Sequence, residues 1–198
     1  MMEFDQLLEK RRSTYMMSAN TDVTEEAIVE ALRKNVRQVP TAYNSQTTRY
    51  VVVFGDANKK LWEHIYDVQK DVLDSELWTQ VGPVVNSYKD VKGTVIFFED
   101  HNALENIPSP GNSRNIYKQN NAGNGQLVTW LTLAELGLGA TLNHFNIGFE
   151  QGFDSKIREF FNLPDTYEMT AQMPFGAIEQ PAYPKDFMDS EEQVQVIK

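Results

Sequence analysis

Arg11, Arg12 and Ser13 set two guanidiniums and a hydroxyl in succession near the start of the chain. Arginine presents a fixed fork of N–H donors that matches phosphate oxygens, and serine adds a compact donor, so the triplet suits a phosphate clamp. The same arginines would also serve as solvated cations at a helix end, complementing its dipole. A second polar cluster, Pro40-Thr41-Ala42-Tyr43-Asn44-Ser45-Gln46, lies between a helical stretch and an apolar run. Asn44 and Gln46 each carry donors and an acceptor able to read the mixed edge of a heterocycle, with Pro40 fixing the approach. Turn formation alone also favours Asn and Ser there. Gly137-Leu138-Gly139-Ala140-Thr141-Leu142-Asn143-His144 offers small residues that let a backbone approach a flat ligand, although a helix C-cap accounts for the glycines equally well. His144 has no partner carboxylate in view and reads as structural.

What the chain lacks narrows the chemistry. There is no Cys and only three His, so thiolate nucleophiles, disulfides, Cys-ligated zinc and iron–sulfur clusters drop out, and no transition-metal site is expected. Neither Gly123-Asn124-Gly125 nor Gly137-Leu138-Gly139 reaches the third glycine of a dinucleotide fingerprint, and no P-loop is present. A nucleotide would therefore be held by side chains and loops. Eighteen Lys plus Arg against 28 Asp plus Glu give a net charge of −10, which opposes nucleic-acid binding. Residues 1–50 hold seven basic and seven acidic side chains, so the acidity lies beyond them and the early arginines stand out.

The elements that must position these groups follow from periodicity. At 198 residues, 41% hydrophobic and 23% charged, the chain is expected to be a single domain spanning residues 1–198. No signal-peptide pattern and no long apolar run is present, so a cytoplasmic protein without a membrane span is expected. Phe4, Leu7 and Leu8 open a first helix running into Lys10, Arg11 and Arg12. Asp22 and Glu25 resemble a capping box for a second, which carries Ile28, Leu32 and Val36 and stops at Pro40. Leu61, Ile65, Val68 and Val72 form a third stripe, Leu127, Trp130, Leu131 and Ala134 a fourth that ends at Gly137 and Gly139, and Ile157, Phe160 and Phe161 a shorter fifth. Strands are expected at Tyr50–Phe54, Thr94–Phe98, Ala140–Asn143 and Met169–Phe175, where Met169, Ala171, Met173 and Phe175 alternate as one face. His101 to Asn124, with Pro108, Pro110, Gly111, Gly123 and seven Asn, reads as irregular. The pattern suits an α+β layer protein with a small central sheet.

The segments RRST (11–14), VPTAYNSQTTRYVVV (39–53), TWLTLAELGLGATLNHFN (129–146) and AQMPFGAIEQP (171–181) resemble, in this order, the nitroreductase family of FMN-dependent oxidoreductases. The likeness is strongest to its short branch of fungal-type and lactic-acid-bacterial proteins. The resemblance implies a nitroreductase-like α+β fold, with a small, mostly antiparallel central sheet flanked by helices, in an intertwined homodimer with FMN at the subunit interface. It implies ping-pong reduction of the flavin by NADH or NADPH and then of a nitroaromatic or quinone, with a flavin-binding sensor or carrier as the alternative. It places Arg11, Arg12 and Ser13 at the FMN phosphate and ribityl chain, and Pro40, Thr41, Ala42, Asn44 and Gln46 in a loop that often reaches the flavin from the partner subunit. It places Leu142 and Asn143 beside the isoalloxazine, and Lys185 as a further phosphate contact. Hydride transfer belongs to the flavin itself, so no catalytic side chain is expected.

Two positions depart from the family pattern. Tyr15 stands where many relatives carry Lys or Arg near flavin N1 and O2, and Thr48 where a Trp is common. Arg12 and Arg49 are the candidates for the missing cation. The closing Val194-Gln195-Val196-Ile197 alternation looks like a strand seeking a sheet edge, and is expected to pack on the partner subunit.

Overall fold

β3 (Gly93–Asp100) organises the chain, because every residue from Gly93 to Glu99 is buried and a strand shielded on both faces needs a layer on each. β2 (Thr48–Phe54) and β5 (Tyr167–Ile178) flank it antiparallel, with pairs such as Val51↔Ile96 and Ile96↔Gln172. Two short strands, β1 (Met17–Ser18) and β4 (Gly139–Ala140), join β5, giving the order β1-β5-β3-β2 with β4 also on β5. The computed structural model describes residues 3–108, 113–145 and 153–198.

Successive strand residues point to opposite faces, and two cores divide accordingly. Val95 and Phe97 pack with Ile28 and Leu32 of α2 (Glu25–Val36) and Leu133 of α6 (Ser113–Glu135). Ile96 and Phe98 pack with Leu61, Trp62 and Ile65 of α3 (Gly55–Val72) and Val85 of α4 (Ser75–Ser87). Each such side chain contributes about 1.5–3 kcal/mol when fully withdrawn from water. Among the described residues no helix is long and apolar enough to cross a membrane.

β5 corrects the sequence expectation that Met169, Ala171, Met173 and Phe175 share a face. Met169 joins the α3–α4 core, whereas the other three join the α2–α6 core. The register shifts between Phe97, which faces Ala171, and Phe98, which faces Met169. Thr170 is the extra residue, and its hydroxyl donates to the Phe97 carbonyl at 3.3 Å. That bulge turns Met169 to the far side.

The stretch from His101 to Asn124 is not irregular. It contains α5 (His101–Glu105) and the first half of α6, while its residues 109–112 lie outside the described residues. Asn and Gly are weak helix formers, but tertiary contacts override them here. Asn121 and Asn124 spend their amides on the loop 40–46, and Gly125 leaves room for the Tyr50 hydroxyl. α4 has no counterpart in the sequence reading, since Gly82 and Pro83 lie inside it; Asp74 caps it by accepting from Leu77 N–H at 2.9 Å, and Trp78 lies over Gly82.

Smaller corrections concern boundaries. Thr24, not Asp22, caps α2, its hydroxyl accepting from Ala27 N–H at 3.2 Å. α1 (Phe4–Lys10) ends before Arg11 and Arg12. Of Ala140–Asn143, only Ala140 lies in a strand, and Asn143 rejoins the sheet through a bridge to Gln172. α7 (Phe153–Phe160) matches the expected fifth helix. The tail ends in α8 (Ser190–Gln193) and an exposed Val194–Ile197 segment that pairs with no strand among the described residues.

Gly93 faces Phe54 across β2, and a Cβ there would stand 2.7 Å from the Val53 carbonyl oxygen and 2.9 Å from the Phe175 ring. Gly93→Ala is therefore expected to lower stability by about 1–3 kcal/mol in urea unfolding. An unchanged midpoint would show that the sheet yields there at no cost.

Candidate functional site

Beyond α1 the backbone is extended at Arg11 (φ −67°, ψ 108°), and the following residues run beside β4. Ser13 bridges Ala140 in parallel, and Thr14 N–H donates to the Ala140 carbonyl at 3.0 Å. This contact brings Arg11-Arg12-Ser13 to Ala140-Thr141-Leu142-Asn143. The Arg11 guanidinium lies 4.5 Å from the Trp130 ring centroid, a cation–π distance. Arg12 Nη2 donates to the Tyr183 carbonyl at 2.6 Å, which draws in the tail segment carrying Lys185; the Lys185 ammonium lies 5.1 Å from the Phe187 ring. Among the described residues neither Arg11 nor Arg12 enters an ion pair. Burial, with the adjacent Arg12 charge, pushes Arg11 below the ordinary arginine value. Two neighbouring guanidiniums with no carboxylate partner among the described residues, in a chain of net charge −10, have the chemistry to receive an anion.

Asn143 is held from behind. Its N–H and C=O exchange hydrogen bonds with Gln172 at 2.8 and 2.9 Å, and Phe145 N–H donates to Gln172 Oε1 at 3.0 Å. The Tyr88 hydroxyl lies near its side chain: burial first, then Tyr15, raise that hydroxyl's pKa, and Asn143 opposes them. Tyr88 is 1% exposed and packs 4.8 Å from the Trp62 ring. A buried relay fixes both: Trp62 Nε1–H donates to Thr94 Oγ1 at 2.7 Å, Thr94 donates to Asn58 Oδ1 at 2.6 Å, and Asn58 Nδ2 donates to the Tyr88 carbonyl at 2.9 Å.

The loop 40–46 forms a separate patch. Tyr43, Asn44 and Gln46 have φ of 55°, 51° and 48°, a left-handed backbone that non-glycine residues adopt at a cost and that clusters at functional sites. Ala42 N–H donates to Asn121 Oδ1 at 3.0 Å, and Asn121 Nδ2 donates to Ser45 Oγ at 3.1 Å and Thr47 Oγ1 at 2.9 Å. Asn124 Nδ2 donates to the Pro40 carbonyl at 3.1 Å, Gln46 N–H to Thr41 Oγ1 at 3.1 Å, and Arg49 Nη1 to the Gln46 carbonyl at 2.6 Å. Thr47 and Thr48 donate to the two oxygens of Glu99, each at 2.5 Å. Pro40, Asn44 and Gln46 remain exposed. Beside them Arg37, Thr41, Gln46, Arg49 and Tyr50 line a cleft of about 480 Å³.

One chain does not bring its two patches together. Asn143 pairs with Gln172, Gln172 with Ile96 and Ile96 with Val51, so Asn143 and β2 stand three strand spacings apart, about 14 Å. Along α6, Arg11 rests on Trp130 while the loop is bound at Asn121 and Asn124, about 9–14 Å away on the axis. Arg11, Arg12, Ser13, Leu142 and Asn143 therefore gather with the Tyr183–Lys185 segment, whereas Pro40, Thr41, Ala42, Asn44 and Gln46 lie elsewhere.

The sequence profile of the nitroreductase family matches residues 8–177. The chain belongs to the nitroreductase family. Nitroreductase CinD from Lactococcus lactis, solved in complex with chloramphenicol, is 32% identical with a TM-score of 0.86, covering 99% of this chain and 100% of that one. The same protein solved with 4-nitrophenol gives 0.82, with the same identity and coverage. HBN1 of Saccharomyces cerevisiae is 25% identical over 193 residues, 94% of each chain. A Desulfovibrio desulfuricans protein solved in complex with FMN shares the fold at 17% identity and a TM-score of 0.71, over 100% of this chain and 98% of that one. The α+β fold expected from the resemblance is thus found, in a family of oxidoreductases.

Set in this nitroreductase fold, the departing positions acquire reasons. Thr48 is 8% exposed and committed to Glu99, a place a Trp could not take without displacing the carboxylate. Tyr15 is exposed, its ring 6.5 Å from that of Tyr183. Arg49 is tied to Asp100 at 2.9 Å and braces the loop, which leaves Arg12 as the candidate cation without a carboxylate partner. Sequence reasoning missed Asn121, Asn124, Glu99 and Tyr88. Asn121 and Asn124 carry a signal, an i, i+3 pair of amides, legible only once the stretch is seen to be helical.

Lys118 and His101 clamp Glu168 opposite Glu99, at 2.8 and 2.6 Å. Burial raises the Glu168 carboxyl, but hydrogen bonds and charge from Lys118 and His101 outweigh it and hold it below the usual value. Ionised Glu168 therefore stabilises the fold above its unfolded value of about 4.3, and that contribution is lost as pH falls through the lowered folded value. Glu168→Gln is expected to flatten the acid limb of the stability–pH curve below about pH 4.3; a limb as steep as in the parent would remove Glu168 from this role.

Proposed function

We propose that this chain is an FMN-dependent oxidoreductase that is reduced by NADH or NADPH and in turn reduces nitroaromatic or quinone acceptors, in alternation at one site. The observation that carries the reading is the pair Arg11–Arg12, two neighbouring guanidiniums without a carboxylate partner among the described residues, beside the small-residue backbone at Ala140–Asn143. A phosphate answers both: it neutralises the adjacent cations and accepts their forked donors. Arg11, Arg12 and Ser13 would hold the FMN phosphate and ribityl chain, Lys185 would add a contact from the tail, and Leu142 and Asn143 would pass the isoalloxazine. Bound FMN supplies hydride acceptance and donation. The chain's own side chains then bind, orient and offset negative charge. The complexes of CinD with chloramphenicol and 4-nitrophenol support nitroaromatics as the acceptor class.

The separation of the two patches supports a homodimer. Pro40, Thr41, Ala42, Asn44 and Gln46 would complete the site of a partner subunit, since their own arginines lie too far off. The tail offers the matching surface: Phe187, Met188, Val194, Val196 and Ile197 are all exposed.

Purified protein is expected to be yellow, to bleach on anaerobic addition of NADH or NADPH, and to recover its spectrum on addition of 4-nitrophenol. Colourless protein that ignores added FMN would sink the proposal. Arg11→Ala is expected to weaken FMN binding about 10- to 100-fold, the value of one charged hydrogen-bonding group, with an unchanged far-ultraviolet circular dichroism spectrum.

Light scattering is expected to give twice the 22.7 kDa chain mass. Deletion of Val194–Lys198 is expected to shift that mass toward the monomer, and a truncated protein that keeps the parent's mass and flavin would free the tail from any role in assembly.

A further inference from the structure

We infer that Asn121 and Glu99 are positioning residues for the loop 40–46, the two ends of a one-way hydrogen-bond chain that fixes the edge this loop presents to the cofactor. The inference rests on the flavin reading above for its purpose, and on the loop geometry for its substance.

Proton directions follow from the partners. Asn121 Oδ1 accepts from the Ala42 amide, which can only donate, so Nδ2 is the side that faces Ser45 and Thr47. Thr47 Oγ1 accepts from Nδ2, and its single proton goes to Glu99 Oε2 at 2.5 Å. Thr48 sends its proton to Oε1 at the same distance. Both oxygens of Glu99 are thus acceptors, which only the ionised carboxylate provides without loss. Asn121 is 1% exposed, and Thr47 and Glu99 are fully buried, so water cannot replace a broken link. The chain runs from α6 through the foot of the loop to β3, and the residues it ties down flank the left-handed trio Tyr43, Asn44 and Gln46.

Charged and titratable groups surround Glu99 on every side. Lys118 of α6 and Arg49 of β2 favour its ionised form, Tyr50 lies beside it on β2, and Glu168 of β5 is its register partner, itself clamped by Lys118 and His101. Asp100, the next residue on β3, is occupied by Arg49. Burial raises the Glu99 carboxyl above its ordinary value, against the Thr47 and Thr48 hydrogen bonds and the Lys118 and Arg49 charges. Protonation turns one oxygen into a donor and drops one of the two threonine bonds, so the latch loosens on the acid side. The sign follows: the native state takes up the proton first, so stability falls as pH rises from about 4.3, the unfolded value, toward the raised folded value, while the order of the loop rises over the same span.

FMN affinity, followed by quenching of flavin fluorescence from pH 5 to 8, tests this in the full chain together with hydrogen–deuterium exchange of residues 40–47. Asn121→Leu is expected to weaken FMN about tenfold or more and to speed exchange at Ala42 and Gln46. Glu99→Gln can still accept from Thr47 and donate to Thr48, so it is expected to keep the parent's affinity at pH 7 while losing the decline toward pH 5. Glu99→Leu is expected to weaken binding at every pH. Parent-like affinity and exchange in Asn121→Leu would overturn the proposal, as would an unaltered pH profile in Glu99→Gln. Should Asn121→Leu fail to fold, affinity and exchange at residues 40–47 in Glu99→Leu, set against Glu99→Gln, decide in its place. A parent chain that binds no FMN overturns the cofactor reading instead, and exchange at residues 40–47 then decides whether the latch exists.

Discussion

Burial of β3 on both faces is the constraint from which the rest of the structure follows. A strand with no solvent face must find apolar partners in two directions, and the alternation Val95, Ile96, Phe97, Phe98 divides them between α2–α6 on one side and α3–α4 on the other. The same burial makes any polar side chain on β3 costly unless it is fully bonded. β3 carries two such groups near opposite ends, Thr94 and Glu99, about 17 Å apart along the strand. Each is satisfied by a relay, and each relay leads to a different patch of the site.

From Thr94 the relay passes through Asn58 to the backbone of Tyr88, whose hydroxyl meets Asn143. From Glu99 it passes through Thr47 to Asn121 and the loop 40–46. Buried polar groups of this kind rigidify what they touch when every member is paired. The patch at Arg11–Ser13 and Leu142–Asn143 and the strained loop are thus both anchored in the centre of the sheet, although the sheet itself keeps them apart in one chain. That separation turns a feature of the fold into an argument for the proposed dimer, in which a rigid loop that cannot reach its own arginines would be preorganised for another copy's.

What was legible in the sequence is what side-chain type and short-range periodicity encode. Arg11, Arg12 and Ser13 carry their chemistry in their identity, and the stripes of α2 and α3 repeat at helical spacing. Where tertiary contacts outvote local preference, the reading fails. The Asn- and Gly-rich start of α6 looks irregular because its amides answer to a loop some 75 residues earlier in the chain, as Asn121 and Ser45 do. Gly82 and Pro83 look like a break, yet the helix passes through them with Trp78 against the glycine. The alternation on β5 is real in sequence but is reset by the bulge at Thr170, which no local rule announces. Glu99 lies just past the expected strand Thr94–Phe98, and only the fold shows Thr47 and Thr48 enclosing it.

The scarcity of acid–base side chains in the site is consistent with this design. Chemistry carried by a bound ring asks the protein for position and for charge, and both are present in forms a static scaffold can hold. Position comes from the two relays, which meet the site through backbone and amide groups, one of them rooted in the Glu99 carboxylate. Charge, in the proposed site, comes from Arg11 and Arg12, which have no carboxylate partner among the described residues of a chain that is otherwise acidic. Had Asp or Glu neutralised them, the ion pairs would have stabilised the empty protein and weakened its hold on a phosphate. Leaving them unpaired keeps a mutual repulsion that an anionic ligand would relieve, so the −10 net charge and the arginine pair belong to one electrostatic arrangement.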